Sequence, residues 1–430
     1  MKVKLAYGQT GLTVDLPEVT DILEAEFVSA VPNEVAAIQT ALRHPIQSAP
    51  LSEKVKSGDR VIIVHSDITR ATPNDRMLPV LIAELEQAGI ASEHITLMNA
   101  LGTHRPQTNA ELRQMLGGAI VDRYRCLQHD AFDDENLVSL GTTASGNPVR
   151  INRHLMEADV RIFTGFIEPH FFAGFSGGPK AALPALSGAE SVFTNHGRDM
   201  IAHPKSTWGV LEGNPIWEEM KEVALKTAPT MLLNVTLNAN KEITGVFAGD
   251  LIAAHTAGAT FVQDNGMVKV SEPYDVVITT NSGYPLDQNL YQTVKGMSAA
   301  NKVLRDGGTI IMAAACADGL PDHGKYADLL AQGGSPQGVL AMLDQPGFSE
   351  HDQWQVQIQA MIQLRADVHV YSDGLTDDQI ERALFTPCRN IEQCLDELQQ
   401  KYGPDMRVCA IPEGPQTIAY LDEAVFTPIA

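Results

Sequence analysis

The chain lacks the cysteine spacings that organise small secreted domains or bind zinc. Its five cysteines, at positions 126, 316, 388, 394 and 409, are odd in number and scattered, and no Cys-x-x-Cys pair occurs. Neither a disulfide framework nor a zinc finger fits this pattern. The sequence also has no uncharged apolar run of about 18 residues, the length that a membrane-spanning helix needs. We therefore expect a fold built on hydrophobic cores, with no membrane partner.

Basic residues are scarce. The chain has 31 lysines and arginines against 53 aspartates and glutamates, a formal net charge of −22. Binding to nucleic acid requires clustered basic side chains, which this sequence does not contain, so nucleic acid is excluded as a partner. An anionic substrate would need a locally basic pocket, which gives added weight to arginine and lysine in loops. The N-terminus has no signal-peptide pattern, so we expect a first strand and a cytoplasmic protein.

Apolar strand-like runs alternate with helical stretches along the chain. The clearest runs are Arg60–His65, His94–Ala100, Val160–Thr164, Thr230–Thr236, Asp275–Thr280, Gly308–Ala313, Asp367–Tyr371 and Arg407–Ile411. Such alternation predicts an α/β fold with mostly parallel sheets, and the length of 430 residues predicts more than one domain. We predict two α/β domains with an active-site cleft between them: residues 1–268 with the tail 412–430, and residues 269–411.

Ligands of open α/β sheets bind at the carboxyl ends of the strands. Four predicted strand ends carry polar loops. They are Asp67-Ile68-Thr69-Arg70, Gly102-Thr-His104, the glycine-rich segment from Glu168-Pro-His170 to Lys180, and the segment after Thr280 that leads to Tyr291-Gln292-x-x-Lys295. We expect the glycines of the third loop to let its backbone approach a ligand closely.

Each loop also has a simpler interpretation. The segment beginning at Asp67 is equally typical of a capped helix start and of an anion site built from free N–H groups and Arg70. His104 is either a surface residue or, because it follows a strand end, an acid–base group.

Lys180 does not belong to a phosphate-binding P-loop, because proline precedes it and alanine follows it. It is either a surface lysine or a lysine for covalent attachment. His170 and His196 are too far apart in sequence to share a helix face, so a common metal would require tertiary folding.

Taken together, these segments resemble the nickel-dependent lactate racemase family of 2-hydroxyacid racemases and epimerases. The matching motifs are Asp67-Ile-Thr-Arg70, Gly102-Thr-His104-Arg-Pro, Glu168-Pro-His170 with Gly177-Gly-Pro-Lys180, Asn195-His196-Gly197 and Tyr291-Gln292-x-x-Lys295-Gly296. They occur in order along nearly the whole chain. Trp354 resembles a family tryptophan near the substrate.

The resemblance implies a nickel-pincer nucleotide, a pyridinium-3,5-bisthiocarboxylate mononucleotide, attached covalently to Lys180. It implies His196 as the protein ligand of nickel and Asp67, Ile68, Thr69 and Arg70 as further cofactor-binding residues. Enzymes of cofactor biosynthesis would then be partners for loading. Substrate-binding residues by position are Arg70, Tyr291, Gln292, Lys295 and Trp354.

The resemblance further implies racemisation by hydride transfer from Cα through a 2-keto acid, with His104 and His170 as the two acid–base groups. Direct removal of the weakly acidic Cα proton by histidine is a poor route at neutral pH. The substrate is a 2-hydroxy acid, with lactate as the default.

Three other classes stay open from sequence. A nicotinamide-dependent oxidoreductase is disfavoured because the first strand-to-helix turn lacks Gly-x-Gly-x-x-Gly. A non-catalytic binder of an anionic metabolite would need neither Lys180 nor paired histidines. A zinc hydrolase would use His104, His170 and His196.

Overall fold

The computed structural model describes residues 1–321 and 324–421, which form two compact units. The larger unit comprises residues 27–196 and 204–265, and the smaller unit comprises residues 1–26, 197–203 and 266–421. No helix in these described ranges is long and apolar enough to cross a bilayer.

Strands and helices alternate through both units. The strands are β1 (Lys2–Leu5), β2 (Leu12–Asp15), β3 (Asp21–Ile22), β4 (Val61–Ser66), β5 (Ile95–Ala100), β6 (Arg125–Gln128), β7 (Leu137–Thr142), β8 (Pro148–Asn152), β9 (Val160–Phe166), β10 (Pro169–His170), β11 (Gly174–Phe175), β12 (Met231–Leu237), β13 (Ile243–Gly249), β14 (Met267–Val270), β15 (Tyr274–Thr280), β16 (Leu304–Ala313), β17 (Ala366–Tyr371), β18 (Thr386–Cys388), β19 (Val408–Ile411) and β20 (Ile418–Leu421). The helices are α1 (Glu34–Arg43), α2 (Leu51–Lys54), α3 (Asn74–Gln87), α4 (Asn109–Leu116), α5 (Gly118–Arg123), α6 (Arg153–Glu157), α7 (Ala189–Asn195), α8 (Arg198–Ala202), α9 (Pro215–Lys226), α10 (Leu251–Gly266), α11 (Leu290–Ala300), α12 (Tyr326–Gly333), α13 (Pro336–Leu343), α14 (Gln353–Gln363), α15 (Asp377–Arg382) and α16 (Ile391–Tyr402).

The larger unit is built on a six-stranded sheet in the order β13-β12-β9-β4-β5-β6. All neighbouring pairs are parallel except β12 and β13 at one edge. Its central strands β4 and β9 are buried along almost their whole length, because both faces of the sheet are covered, as parallel sheets require. Helix α3 packs an apolar face that includes Met77, Leu81 and Leu85 into this core. The parallel order brings the carboxyl ends of β9, β4 and β5 to one edge.

The smaller unit contains a second six-stranded sheet, β18-β17-β16-β15-β19-β3, in which every neighbouring pair is parallel. Helix α11 follows β15, and Asn289 caps it by accepting the backbone N–H of Gln292. The predicted α/β class with mostly parallel sheets is confirmed in both units.

The two ends of the chain differ from the predicted domain division. Residues 1–26, predicted in the first domain, belong to the smaller unit, because β3 extends its sheet beside β19. Strand β1 is amphipathic: Val3 and Leu5 alternate with exposed lysines and are buried in the same core as Ile278. The tail was also predicted in the first domain, yet β20 pairs in parallel with β14 of the smaller unit. Residues 422–430 of that tail lie outside the described residues.

Candidate active site

Three neighbouring strands of the larger unit deliver the predicted catalytic loops to one edge of its sheet. Asp67 follows β4, His104 lies beyond the end of β5, and His170 lies in the short hairpin β10–β11 after β9. Strand β4 is paired with β5 on one side and with β9 on the other, all in parallel. The loops are therefore adjacent because of strand order, as the carboxyl-end rule predicts.

Asp67 and His104 form a hydrogen-bonded pair in which the carboxylate is buried and the imidazole is partly exposed. Oδ2 of Asp67 lies 2.6 Å from Nδ1 of His104, and the two side chains are 4% and 45% exposed. Burial alone would raise the pKa of the Asp67 carboxyl, but the charge and hydrogen bond of His104, aided by Thr69, lower it below its usual value. An ionised Asp67 accepts a hydrogen bond from Nδ1–H, so the neutral ring of His104 keeps its lone pair on Nε2. That nitrogen is the one available for proton transfer.

In the rest of the Asp67 loop, one residue supports the Asp67 carboxylate and another carries a positive charge. Thr69 donates its hydroxyl to Oδ1 of Asp67 at 2.7 Å, and Ile68 is half-buried. The guanidinium of Arg70 lies 3.3 Å from a carboxylate oxygen of Glu168, with both side chains one-quarter exposed. Glu168 was not predicted as a functional residue, although it lies in the Glu-Pro-His motif. Arg70 is thus held by a counter-charge at the edge where an anionic substrate would need it.

His170 is buried in the β10–β11 hairpin and points toward Lys180. Its Nδ1 accepts the backbone N–H of Ala173 at 3.2 Å, and its Nε2 lies 3.0 Å from Nζ of Lys180. Since Nδ1 is an acceptor, a neutral His170 carries its proton on Nε2. The hydrogen bond to Nδ1 therefore fixes the tautomer of the neutral ring and directs its Nε2–H at the lysine.

Lys180 and His196 both lie beside the ring of Phe172. Nζ of Lys180 is 5.5 Å from the ring centroid, and the imidazole of His196 packs edge-on against the same ring at 4.8 Å. Burial, followed by the nearby charge of Lys180, lowers the pKa of His196 to about 3. The ring of His196 is therefore neutral at pH 7, which is the form that binds a transition metal.

The glycines before Lys180 make room for side chains of the protein itself. A Cβ at Gly177 would lie 2.5 Å from Oδ1 of Asn234, and one at Gly178 would lie 2.4 Å from Cδ2 of His255. The backbone thus closes on protein side chains. Asn234 accepts the N–H of Gly178 at 2.8 Å, and Nε2 of His255 bonds the carbonyl of Ser176 at 2.9 Å. These contacts hold the short 3₁₀ turn that carries Lys180.

A buried carboxylate supports the residue before His196. Glu219 accepts hydrogen bonds from Thr143 at 2.8 Å, Asn147 at 3.0 Å and Asn195 at 2.8 Å, and from the hydroxyl of Ser145. Sequence reasoning missed this network. Its only signal was an acidic residue on the apolar face of the amphipathic helix α9.

The predicted substrate-binding residues of the smaller unit also come together. Tyr291, Gln292 and Lys295 lie in the first two turns of α11, where Nζ of Lys295 is 2.7 Å from Oε1 of Gln292. Trp354 of α14 donates its indole N–H to the Tyr291 hydroxyl at 3.2 Å. These four residues therefore form one polar and aromatic group in that unit.

His104, His170 and His196 do not form a protein-only metal site. Within residues 1–321 and 324–421, no three His, Cys, Asp or Glu side chains group in a way that could hold a metal ion. This geometry disfavours the zinc hydrolase, because such a site needs three protein ligands around one ion.

Two histidines whose neutral tautomers are fixed by hydrogen bonds, one of them 3.0 Å from the half-buried Lys180, are typical of an enzyme that moves protons. Family models name its relatives: the lactate racemase N-terminal domain matches residues 7–209, and the lactate racemase C-terminal domain matches residues 269–419. The chain belongs to the lactate racemase family, and it is an isomerase.

Individual relatives agree with this assignment. A lactate racemase of Thermoanaerobacterium thermosaccharolyticum is 35% identical over 97% of this chain and 98% of its own length. A lactate racemase of Lactiplantibacillus plantarum is 35% identical over 89% of this chain and 90% of its own length.

Solved structures give the same answer for the fold. The lactate racemase apoprotein from T. thermosaccharolyticum superposes with a TM-score of 0.91 at 34% identity, covering 97% of this chain and all of that one. A Thermotoga maritima protein shares the fold, with a TM-score of 0.72 at 18% identity, covering 93% of this chain and all of that one.

Proposed function

We propose that the chain interconverts the enantiomers of lactate or of a closely related 2-hydroxy acid. The observation that carries the proposal is the pair of histidines at one sheet edge, His104 held by Asp67 and His170 directed at Lys180. Racemisation needs an acid–base group for each enantiomer, and the site offers two. The 35% identity to lactate racemases over nearly the whole chain supports the same reaction.

The residues fit the nickel-pincer nucleotide that the family resemblance implies. His196 offers one neutral imidazole, and a single protein ligand suffices for a metal whose other ligands belong to its cofactor. Lys180 offers an amine beside the same Phe172 ring that His196 contacts. Asp67, Thr69 and Arg70 would hold other parts of the nucleotide. When bound, the cofactor would supply the hydride acceptor that interconversion through a 2-keto acid requires.

The chain's own residues supply the proton transfers. Nε2 of His104 accepts the substrate hydroxyl proton from one enantiomer, while the Asp67 carboxylate stabilises the imidazolium that forms. His170 takes the same part for the other enantiomer. For Nε2 to accept the hydroxyl proton, the neutral ring must carry its own proton on Nδ1, so the hydrogen bond from the Ala173 N–H is given up. Each histidine later returns its proton to the oxygen.

Charged side chains bind the substrate carboxylate. Arg70 can exchange its ion pair with Glu168 for a bidentate pair with the substrate. The family resemblance assigns Tyr291, Gln292, Lys295 and Trp354 to substrate binding as well. The positive charges of Arg70 and Lys295 offset the formal charge of −22, which otherwise repels an anion.

The test uses protein produced together with the enzymes that make the cofactor. A panel of 2-hydroxy acids, from lactate and malate to aromatic and sugar acids, is followed by change of optical purity, and the Lys180 peptide is weighed by mass spectrometry. We expect lactate to racemise and Lys180 to carry the cofactor mass.

Variants separate the roles. His104→Ala and His170→Ala should each nearly abolish racemisation with the cofactor retained, whereas Lys180→Ala should lose the cofactor. Unmodified Lys180 with tight lactate binding but no turnover would support the non-catalytic binder instead. Activity that depends on added nicotinamide nucleotide would support the oxidoreductase.

A further inference from the structure

A second group of reactive side chains lies in the smaller unit and takes no part in the proposed racemisation. Cys388 ends β18, Cys394 closes the first turn of α16, and His369 lies on β17, the neighbour of β18. The sulfur of Cys394 is 3.5 Å from Nδ1 of His369, and the thiol of Cys388 hydrogen-bonds to the same sulfur. These three side chains are called the thiol cluster below.

Three features of the thiol cluster favour a thiolate at Cys394. Helix α16 directs its N-terminal dipole at the first turn, where negative charge is stabilised. The hydrogen bond from Cys388 lowers the pKa of Cys394 more than burial raises it, and His369 lowers that pKa further. The same hydrogen bond, reinforced by burial, raises the pKa of Cys388, so Cys388 keeps its proton.

One carboxylate opposes this effect. Glu397 raises the pKa of Cys394, but it is the weakest influence on that thiol. Glu392 raises the pKa of Cys388, again as the weakest influence, and so helps Cys388 to keep its proton.

The other three cysteines differ from Cys394 in the direction of their pKa shifts. Burial raises the pKa of Cys316 to about 12 and that of Cys409 well above its usual value. Cys126 is more exposed than Cys394, yet burial also raises its pKa. Exposure alone would make Cys126 the more reactive of the two cysteines. The directions of the pKa shifts predict the opposite order, because the thiolate is the nucleophile.

We infer that the thiol cluster is a site of reversible oxidation by small peroxides, in which Cys394 is the nucleophile and Cys388 resolves the product. The Cys394 thiolate attacks one oxygen of hydrogen peroxide, the O–O bond breaks, and the departing hydroxide takes a proton to become water. Cys394 is then a sulfenic acid. The Cys388 thiol attacks that sulfur, the S–O bond breaks, and a second water leaves. Two thiols are oxidised to one disulfide, and one peroxide is reduced to two waters.

Access limits the size of the oxidant. Cys388 is 3% exposed and Cys394 is 7% exposed, so a large disulfide reagent cannot approach either sulfur directly. Hydrogen peroxide is about the size of water and can reach the sulfur beside the half-buried His369.

The wild-type chain alone provides the first test. It is treated with limiting hydrogen peroxide, blocked with iodoacetamide, and mapped after digestion with trypsin, which cleaves at Arg389 between the two cysteines. We expect Cys388 and Cys394 to lose their thiols together and to appear as two peptides joined by a disulfide, while Cys126 stays reduced. Oxidation of Cys126 before Cys394, or loss of the Cys394 thiol without the joined peptides, would overturn the inference.

Two variants separate the roles, after circular dichroism shows that each is folded. Cys388→Ser should leave a sulfenic acid on Cys394 that dimedone traps. His369→Asn should move the midpoint of the pH profile of Cys394 alkylation to higher pH, because the imidazole lowers the pKa of that thiol. Below the midpoint, each pKa unit changes the alkylation rate by about tenfold. An unchanged pH profile in His369→Asn contradicts the role of the imidazole. Because the wild-type comparison of Cys394 with Cys126 requires no substitution, the inference stays falsifiable if either variant misfolds.

Discussion

The carboxylate of Asp67 lies 2.6 Å from Nδ1 of His104 and is almost completely buried, whereas the imidazole is nearly half exposed. A buried acceptor behind an exposed histidine fixes one tautomer and stabilises the charged ring during proton transfer. The family resemblance implies that Asp67 binds the cofactor. In this structure Asp67 contacts His104 and Thr69, which indicates a second role in positioning the histidine.

Asp67→Asn separates these two roles. The amide keeps the size of the carboxylate but loses its charge, so it cannot stabilise the imidazolium of His104. We expect kcat for racemisation to fall by about 10²-fold or more, with little change in KM or in the cofactor mass on Lys180. Steady-state kinetics and mass spectrometry measure the two effects.

The matched control is Asp75→Asn, an exposed residue in the first turn of α3, which should leave kcat unchanged. If Asp67→Asn loses the cofactor but keeps its kcat per loaded site, Asp67 binds the cofactor and does not assist His104 in proton transfer.

Buried histidines of the larger unit should make the apoprotein sensitive to mild acid. Burial lowers the pKa of His65 and of His255 to about 4 and that of His196 to about 3, from a usual 6.5. At a pH between the folded and the unfolded pKa of each histidine, the unfolded chain binds more protons than the folded chain. Stability is therefore lost as the pH falls from 6.5 toward 4, by about 1.4 kcal/mol per pH unit for each histidine.

His255→Gln tests this explanation, because the amide can still donate to the Ser176 carbonyl but does not titrate in this range. The free energy of unfolding of the larger unit, measured in urea between pH 7 and pH 4.5, should depend less steeply on pH than in the wild type. The difference in slope should correspond to about one proton. Equal slopes would mean that His255 is protonated in the folded protein.

The sequence was sufficient for the central strands and for the positions of the functional loops. Strand β9 was predicted from its apolar run, and parallel pairing then required its loop to lie beside that of β4. The contacts within these loops were not predictable in the same way. The pairs Asp67–His104 and Arg70–Glu168 join residues far apart in sequence, and no periodicity specifies which side chains meet.

The glycine-rich segment shows the same limit. Gly177 and Gly178 have positive φ angles of 74° and 50°, so the sequence correctly indicated a special backbone there. It did not reveal that Asn234 and His255 occupy the space beside them. Asn234 interrupts an otherwise apolar strand, and a buried polar residue of this kind is the signal that was available.

The hydrogen bond between Trp354 and Tyr291 should contribute to substrate binding through the orientation of Tyr291. Trp354→Phe removes the indole N–H that lies 3.2 Å from the Tyr291 hydroxyl and keeps an aromatic ring. We expect kcat/KM for lactate to fall by about three- to tenfold, the usual value of one hydrogen bond. Tyr291→Phe should cause a similar loss, and the double variant should lose little more, because both changes remove the same interaction. Fully additive losses would show that the two residues act independently.

Glu219 should position His196 through Asn195. Its two oxygens accept from four side chains, which an ionised carboxylate can do and a glutamine cannot. Glu219→Gln directs an NH₂ group at some of these donors, and each buried group left unpaired costs about 1–3 kcal/mol. We expect a fall in melting temperature of several degrees, at about 2–4 °C per kcal/mol for a unit of this size.

If Glu219 has only a structural role, Glu219→Gln should lower stability and change nothing else. A positioning role predicts in addition that loaded Glu219→Gln retains the cofactor mass on Lys180 but less nickel per cofactor, because His196 directly follows Asn195. Glu218→Gln is the matched control: Glu218 is 41% exposed, and its change should alter stability by less than about 0.5 kcal/mol and leave the nickel content unchanged. A destabilised Glu219→Gln with full nickel content, measured below its melting temperature, would reduce Glu219 to a structural residue.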